Sequence, residues 1–553
     1  MKNNYLIYSF IVLFLGFSFQ SKSQNESDFE IMKNIEIFID VYKKINSNYV
    51  DDIQHGKVMN IAIEEMLAEL DPYTVYIPEA KMEDYKYMTT GQYGGIGAVI
   101  HKREEYVEIA EPYEGSPAEV AGLQAGDLIL EIDGESAENK STSDVSDILK
   151  GQAGTEVVLL VRKPETNEEK EIKIMREEIK VSDVPFHGMI NDNIGYIKLT
   201  GFTANVSKEF KEAFLQLKTE NKLTGLIIDL RGNGGGLLRE AVSICNLFIE
   251  KGEIIVSTKG KLSEKNRVYK TVSKPTDKDI PLVVLVDGNS ASASEIVSGA
   301  IQDLDRGVIV GEKTYGKGLV QNVLPLSYNS KLKVTVAKYY IPSGRCIQAI
   351  DYAHRDKRGK AEKIPDSLLV PFKTSNDRTV YDGAGISPDV EVEKEEYSEI
   401  GYKLVSERIV FDFATKFAYE NPEIASARTF KIADETYQKF IEYTADKDIN
   451  YETKTEVLIE ELKESAEKEQ YEESIIETIT ELEKMVLHDK QDDLIKFKEQ
   501  ISFLLRYEIV SRYYYQKGRI ETALDSDPII SKAVEILEDE EMYKSILENT
   551  ETE

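Results

Sequence analysis

Apolar and polar positions follow four different rhythms along the chain. Between about residues 24 and 88 the apolar residues return every three or four positions, as in "IEIFIDVYKKI" and "VMNIAIEEMLAEL". That is the period of a helix with one apolar stripe. "LDPYTVYIP" closes this segment with a turn. From 89 to 165 the rhythm shortens and glycine punctuates it. "QYGGIGAVIHKREEYVEIAEP" predicts two short strands after a Gly-rich turn. "GSPAEVAGLQAGDLILEIDGE" predicts a short helix, a turn and a strand, and "TEVVLLVRK" another strand.

From 166 to 394 strands and helices alternate. "IGYIKLTGF", "GLIIDLRG" and "PLVVLVDG" read as strands, the last a buried one. "SKEFKEAFLQLK", "LLREAVSICNLFI" and "SEIVSGAIQDL" read as helices, and the last puts Ile296, Val297, Ala300, Ile301 and Leu304 on one stripe. Such alternation predicts a layered α/β core. Beyond 395 punctuation almost stops. Past Gly401 the only glycine is Gly518, and the only prolines are Pro422 and Pro528. Leu494, Phe497, Ile501, Leu504 and Leu505 recur at helical spacing, so 395–553 reads as an acidic helical extension. Its stripes must bury against something, which leaves capping of the core, self-association into a homo-oligomer and holding of an adaptor as readings.

The 553 residues suffice for several domains, and 41% apolar with 30% charged content describes a folded chain. A net charge of −32 opposes binding to a phosphate backbone, so no nucleic-acid partner is expected. At the N-terminus Lys2 precedes the apolar run "YLIYSFIVLFLGFSF", followed by "QSKSQ". Residues 1–23 therefore read as a secretory signal peptide, the run being short for a membrane span. The expectation is an exported, periplasmic protein, membrane-associated if the segment is retained. Export permits a disulfide between Cys245 and Cys346, but two buried thiols are the simpler reading.

The candidate chemistry begins at "GEKTYGKGLVQ", residues 311–321. G-x-x-x-x-G-K is most of a phosphate-binding loop. However, the hydroxyl position is Gly318, and "GLVQNVLPLS" reads as a strand where a helix is needed. Upstream, "VDGNSASASEIVSGAIQD" runs from a strand into a helix with Ser290, Ser292 and Ser294 at the junction. Ser292-x-x-Glu295 is a capping box, so Ser292 can simply cap the helix. The same geometry also places a hydroxyl beside free backbone N–H groups, which can stabilise an oxyanion. A serine nucleophile needs a base. The five histidines lie outside the Gly-rich α/β segments. A lysine serves if desolvation lowers its pKa, and Lys317, flanked by Gly316 and Gly318 after an apolar strand, can be buried.

"GNSASASEIVSGAIQD" followed by "VGEKTYGKGLVQ" resembles the signature of the C-terminal processing peptidases, also called tail-specific proteases. The 25-residue separation of Ser292 and Lys317 fits that family's spacing. The resemblance implies Ser292 as nucleophile, Lys317 as general base, Gln321 as its positioner and Asp303 as a supporting acid. For Asp303 a plain helix-end carboxylate is the competing reading. "DLRGNGGGLL" resembles the family's oxyanion turn, which implies N–H groups of Ala293 and Gly235, with Gly234 and Gly236 as the neighbouring candidates. "YYIPSGRCIQ" and "GAGISPDVEV" extend the likeness over most of 190–392. "YGGIGAVI", A-G-L-x-x-G-D and "TEVVLLVRK" resemble a PDZ domain, which implies Gly94, Gly95, Ile96 and Gly97 as a carboxylate-binding loop for substrate tails. The implied fold is a multidomain protease with a layered, crotonase-like α/β core, a PDZ domain and helical terminal segments. The implied activity is serine endopeptidase action on protein or peptide substrates with accessible, apolar C-terminal tails, with no metal, nucleotide or other cofactor. A PDZ-bearing scaffold with an unused protease site is the alternative.

Overall fold

The computed structural model describes residues 28–356, 359, 361–393, 396–471, 473–486 and 490–548. The signal-peptide expectation lies outside these residues. Two compact units are present, Met1–Tyr76 and Ile77–Glu553. In the first, helix α1 (residues 28–48) and helix α2 (His55–Ala68) follow the helical period of the sequence. Most apolar residues of α1, among them Ile35, Phe38 and Ile45, are exposed, while Leu67 of α2 is buried. The Asp71 carboxylate accepts the N–H groups of Tyr73 and Thr74 and so closes the expected turn.

The second unit begins its β structure with β1 (Gln92–Gly95), β2 (Ala98–Arg103) and β3 (Tyr106–Pro112). Then follow β4 (Leu128–Ile132), helix α3 (Thr142–Leu149), β5 (Glu156–Arg162), β6 (Glu169–Met175) and β7 (Glu177–Lys180). An antiparallel sheet of order β2–β3–β4–β5–β6 folds around Val107, Ile109, Ile129, Val157, Leu159 and Val161, all fully buried. Every second residue of β5 faces that core, which the period-2 pattern of "VVLLV" requires. Strand β2 is the edge of this sheet.

The α/β layer contains β8 (Phe186–Met189), β9 (Ile194–Lys198), helix α4 (Val206–Glu220), β10 (Gly225–Asp229) and helix α5 (Leu238–Cys245). It continues with β11 (Leu282–Val286), helix α6 (Ala293–Asp303), β12 (Val308–Gly311), β13 (Leu319–Pro325), β14 (Lys331–Tyr340) and β15 (Val390–Glu391). The main sheet has the order β8–β9–β10–β11–β12–β15, with only the first pair antiparallel. Both of its faces are covered, so its strands read as continuous apolar runs. In β11, Leu282, Val284 and Val286 face the side that carries α4, α5 and α6. Val283 and Leu285 face the other side.

That other side is covered by the chain's last helices, α7 (Pro528–Glu538) and α8 (Glu540–Leu547), through Ile529, Ile530, Ala533, Ile536 and Leu547. The end of the acidic extension is therefore a layer of the α/β core. Before it, helices Glu399–Ser406, Ile409–Glu420 and Asp434–Thr444 pack with the long helix Lys498–Ala523 around Ile400, Leu404, Phe413, Phe440, Leu505 and Ile509. Cys245 and Cys346 are both free thiols; burial pushes the Cys245 thiol up to about 12. Among the described residues, no helix is long and apolar enough to cross a membrane.

Candidate active site

Strand β11 ends at Val286, and the chain turns sharply through Ser290, Ala291 and Ser292 into α6. The flanking serines hold this turn. Ser290 donates its hydroxyl to the Leu230 carbonyl at 2.9 Å, and Ser294 donates to the Asn233 carbonyl at 2.8 Å. Both are fully buried. Ser292 is partly exposed and sits at φ 56°, ψ −109°. A non-glycine residue in that region costs on the order of 1–3 kcal/mol and persists only where its surroundings hold it. Such a sharp strand-to-helix corner lifts a side chain clear of both elements.

Glu295, fully buried one turn into α6, provides much of that hold. Its Oε2 accepts the N–H groups of Ser292 and Lys317, each at 2.8 Å. Its Oε1 accepts the Thr314 hydroxyl at 2.6 Å and the Gly316 N–H at 2.7 Å. Burial pushes this carboxyl above its ordinary range, and the four donors offset only part of that rise. The buried Tyr339 hydroxyl reaches the carbonyls of Ser292 at 3.1 Å and Lys317 at 2.7 Å. Burial, with Glu295 nearby, raises the Tyr339 phenol far above its ordinary range, so it stays a donor. The backbones of Ser292 and Lys317 are thus joined at both their N–H and their C=O groups.

Lys317 is half-buried on a loop pressed against residues 348 and 349. The Ala349 N–H donates to the Gly316 carbonyl at 2.9 Å, and the Gly318 N–H donates to Gln348 Oε1 at 2.7 Å. A Cβ at Gly316 would lie 2.4 Å from Ala349 Cβ, and one at Gly318 would lie 2.8 Å from Gln348 N. The two glycines therefore permit the close passage expected from the sequence. The strand β13 follows Lys317 directly, so the helix that a phosphate loop requires is absent there.

Other predicted positions fall into place less uniformly. Gln321 lies on β13 and donates from Nε2 to Thr335 Oγ1 at 3.2 Å. Ala293 is the first residue of α6, where a helix leaves its N–H groups without intrahelical partners. Gly235 lies directly over it. A Cβ there would come 2.8 Å from Ser292 Cβ and 2.9 Å from Ala293 N, and its φ is +97°. The Gly235 N–H, however, donates to Asn233 Oδ1 at 2.9 Å. The N–H closes the turn, and Gly235 contributes open space.

Asp303 needs correction. It ends α6, eleven residues from Ser292, which is about 16 Å along a helix axis. Its side chain is buried, accepting from Arg345 Nη2 at 2.8 Å and the Ser343 N–H at 2.9 Å. It is neither a supporting acid at the Ser292 corner nor a solvated helix end, because an arginine 42 residues later folds onto it.

The four PDZ positions divide. Gly94 and Gly95 are in β1, paired with Glu178 and Glu177 of β7. Ile96 and Gly97 link β1 to β2. The Ile96 carbonyl accepts from the Ala118 N–H at 2.8 Å. The Gly97 carbonyl accepts from the Tyr113 N–H at 2.9 Å and the Ser116 hydroxyl at 2.8 Å. A trans peptide sets N–H opposite C=O, so the N–H groups of Gly97 and Ala98 are turned to the other side together. Gly97, at φ +78°, makes that double turn possible.

Sequence reading took Glu295 only for a helix cap and passed over Tyr339, Asn233 and Gln348. The S-x-x-E spacing carried a signal for the first. The others lie within "DLRGNGGGLL" and "YYIPSGRCIQ", stretches that carried the resemblance, but which of their side chains reach the site depends on contacts made far along the chain.

Comparison with known proteins assigns the segments. Residues 193–353 match peptidase family S41, 108–163 match a PDZ domain, 400–537 match the probable PDZ-protease C-terminal helical domain, and 16–80 match the activating protease CtpB N-terminal domain. A probable CtpA-like serine protease of Staphylococcus aureus is 32% identical over 466 residues, covering 82% of this chain and 89% of that protein. The carboxy-terminal-processing protease of Bartonella bacilliformis is 36% identical over 323 residues, covering 58% of this chain and 73% of that protein. Among solved structures, the photosystem II D1 C-terminal processing protease is 28% identical, covers 64% of this chain and 92% of that one, and has a TM-score of 0.36. With a relative of this identity covered over nearly its whole length, the chain belongs to the carboxy-terminal-processing serine proteases of peptidase family S41.

Proposed function

We propose that this protease is an exported endopeptidase that works through a Ser292–Lys317 dyad on polypeptides held by their C-terminal tails. The observation that carries the dyad is the double bridge of Glu295 and Tyr339, which fixes the two backbones against each other while Ser292 is held at a strained corner.

In this reading neutral Lys317 takes the proton from Ser292 as Oγ attacks the scissile carbonyl carbon. The carbonyl oxygen becomes an oxyanion beside the Ala293 N–H, in the space left open at Gly235. Lys317 returns the proton to the departing amine as the C–N bond breaks, leaving an acyl-enzyme. Water then repeats the sequence and frees Ser292. The outward N–H groups of Gly97 and Ala98 suit a terminal carboxylate. A tail held there raises the effective concentration of its own chain at Ser292.

The test uses a peptide with a disordered body and an apolar C-terminal tail. Ser292→Ala and Lys317→Ala should each abolish cleavage while tail binding survives. Cleavage retained by Lys317→Ala would overturn the dyad.

A further inference from the structure

Strand β2 ends its sheet, so among the described residues one side of its backbone has no partner strand. Unpaired edges of this kind accept an added strand. Across from that edge lies a cavity of about 1270 Å³. One wall is Val99 to Lys102 of β2, with Thr142 at the start of α3. The other wall belongs to the C-terminal helical domain: Tyr402 and Val405 from helix Glu399–Ser406, and Leu504 and Tyr507 from helix Lys498–Ala523.

The two walls are braced. Arg103 makes a two-pronged contact with Asp412 at 2.7 and 2.9 Å, and Arg408 pairs with the buried Glu108. Arg519 pairs with Glu111, and Tyr515 donates its hydroxyl to Glu119 at 2.5 Å. These links join the domains while leaving Tyr402 and Val405 about half exposed, at 52% and 50%.

We propose that the C-terminal helical domain is the outer wall of the tail-binding groove. An apolar substrate tail added to β2 is then read on one side by the PDZ strand and on the other by Tyr402, Val405, Leu504 and Tyr507. The inference rests on the tail-binding reading above.

Three observations favour this occupant. The outward N–H groups of Gly97 and Ala98 stand at the start of the same strand, and Tyr113, bonded to the Gly97 carbonyl, lines that end of the cavity. A tail with its carboxylate there runs antiparallel to β2, toward Arg103. The facing wall sets Tyr402, Val405, Leu504 and Tyr507 beside Arg408, Glu508 and Arg519, so it offers apolar contacts to side chains of an extended strand. The volume also exceeds the roughly 300–1,000 Å³ usual for small-molecule pockets, as several residues of peptide require.

The test measures binding of fluorescent peptides to the full chain carrying Ser292→Ala. The peptides end in alanine-rich or phenylalanine-rich tails, each as free acid and as C-terminal amide. Tyr402→Ala and Val405→Asp are surface changes that leave the buried core intact. Val405→Asp should weaken free-acid apolar tails about tenfold or more. Tyr402→Ala should shift the ratio of affinities toward phenylalanine-rich tails, which a general loss of stability would not do. Carboxylate-dependent binding indifferent to both substitutions, or tightened by them, overturns the two-walled groove and leaves the tail-binding reading standing. Equal binding of acid and amide overturns both.

Discussion

Arg231 Nη1 donates to Asp527 Oδ2 at 2.7 Å across a separation of 296 residues. The other Asp527 oxygen caps α7 by accepting the N–H groups of Ile529 and Ile530. Arg231 also holds Asp229 from Nε at 3.0 Å and Nη2 at 2.7 Å, immediately before the turn whose Gly235 faces Ser292. Burial pushes the Asp229 carboxyl up, but Arg231 and Lys198 outweigh it and hold the group well below the usual carboxylate range. Asp527→Ala should therefore cost about 1 kcal/mol for the lost cap, with a further loss for the stranded arginine. It should also lower kcat by loosening the turn, while Asp527→Asn, which keeps the cap, should lower kcat with a smaller loss of melting temperature. Calorimetry beside steady-state kinetics separates the two effects.

The same packing makes a truncation informative. A chain ending at residue 394 loses α7 and α8 and bares Val283, Leu285 and Val310 on the sheet. Exposed apolar faces of that kind drive association. The truncated chain should aggregate or lose its cooperative melt, as light scattering after size exclusion would register.

Glu295→Gln replaces one acceptor oxygen with a donor in a site that holds four donors. At least one N–H or O–H is left facing an amide NH₂, at about 1–3 kcal/mol for each buried unsatisfied group. Tyr339→Phe removes a single hydroxyl and should cost about 1 kcal/mol. Both should reduce kcat, Glu295→Gln by tenfold or more, with KM for a tailed peptide little changed. The kcat–KM split measures this directly.

Gly235→Ala would bring a Cβ within 2.7 Å of the Ala291 carbonyl oxygen and 2.9 Å of Ala293 N, at a φ of +97°. The neighbours are backbone and cannot swing aside. Closing the space beside the Ala293 N–H should lower kcat about 100-fold or more, comparable to losing an oxyanion donor. Tail affinity should persist. Single-turnover cleavage by the purified variant is the measurement.

Asp303→Asn should behave in the opposite way. Its partner Arg345 is 1% exposed, and stranding a buried charge costs about 3–5 kcal/mol. The melting temperature should fall while kcat of the folded fraction stays near that of the parent. A variant as stable as the parent but inactive would restore Asp303 to the catalytic machinery.

How much was legible depended on how far each interaction reaches along the chain. The strand into Ser292, the helix after it and the glycines around Lys317 are local features, written in runs of about ten residues. So is the strand after Lys317, whose β-branched residues and early proline argued against a phosphate loop. The serines at 290, 292 and 294 look alike in sequence. They differ in space because 290 and 294 meet carbonyls of a turn some 60 residues earlier. The pairing of Gly94 and Gly95 with β7 turned an expected loop into a strand, since their partners lie beyond the whole PDZ sheet.

By itself the sequence determined the order of helical, PDZ-like and α/β segments, because helix and strand periods and glycine-dependent turns act between neighbours; the two residues of the proposed dyad came from the family resemblance of the motifs around them. Only the tertiary structure decided that Glu295 and Tyr339 join those residues through their N–H and C=O groups, that Gly235 passes close over Ser292 and Ala293, and that Asp303 belongs to a buried ion pair. It also decided that the last helices complete the α/β core. Each of these depends on burial, which removes water as the competing partner and gives a hydrogen bond or an apolar face its value only once distant parts of the chain have met.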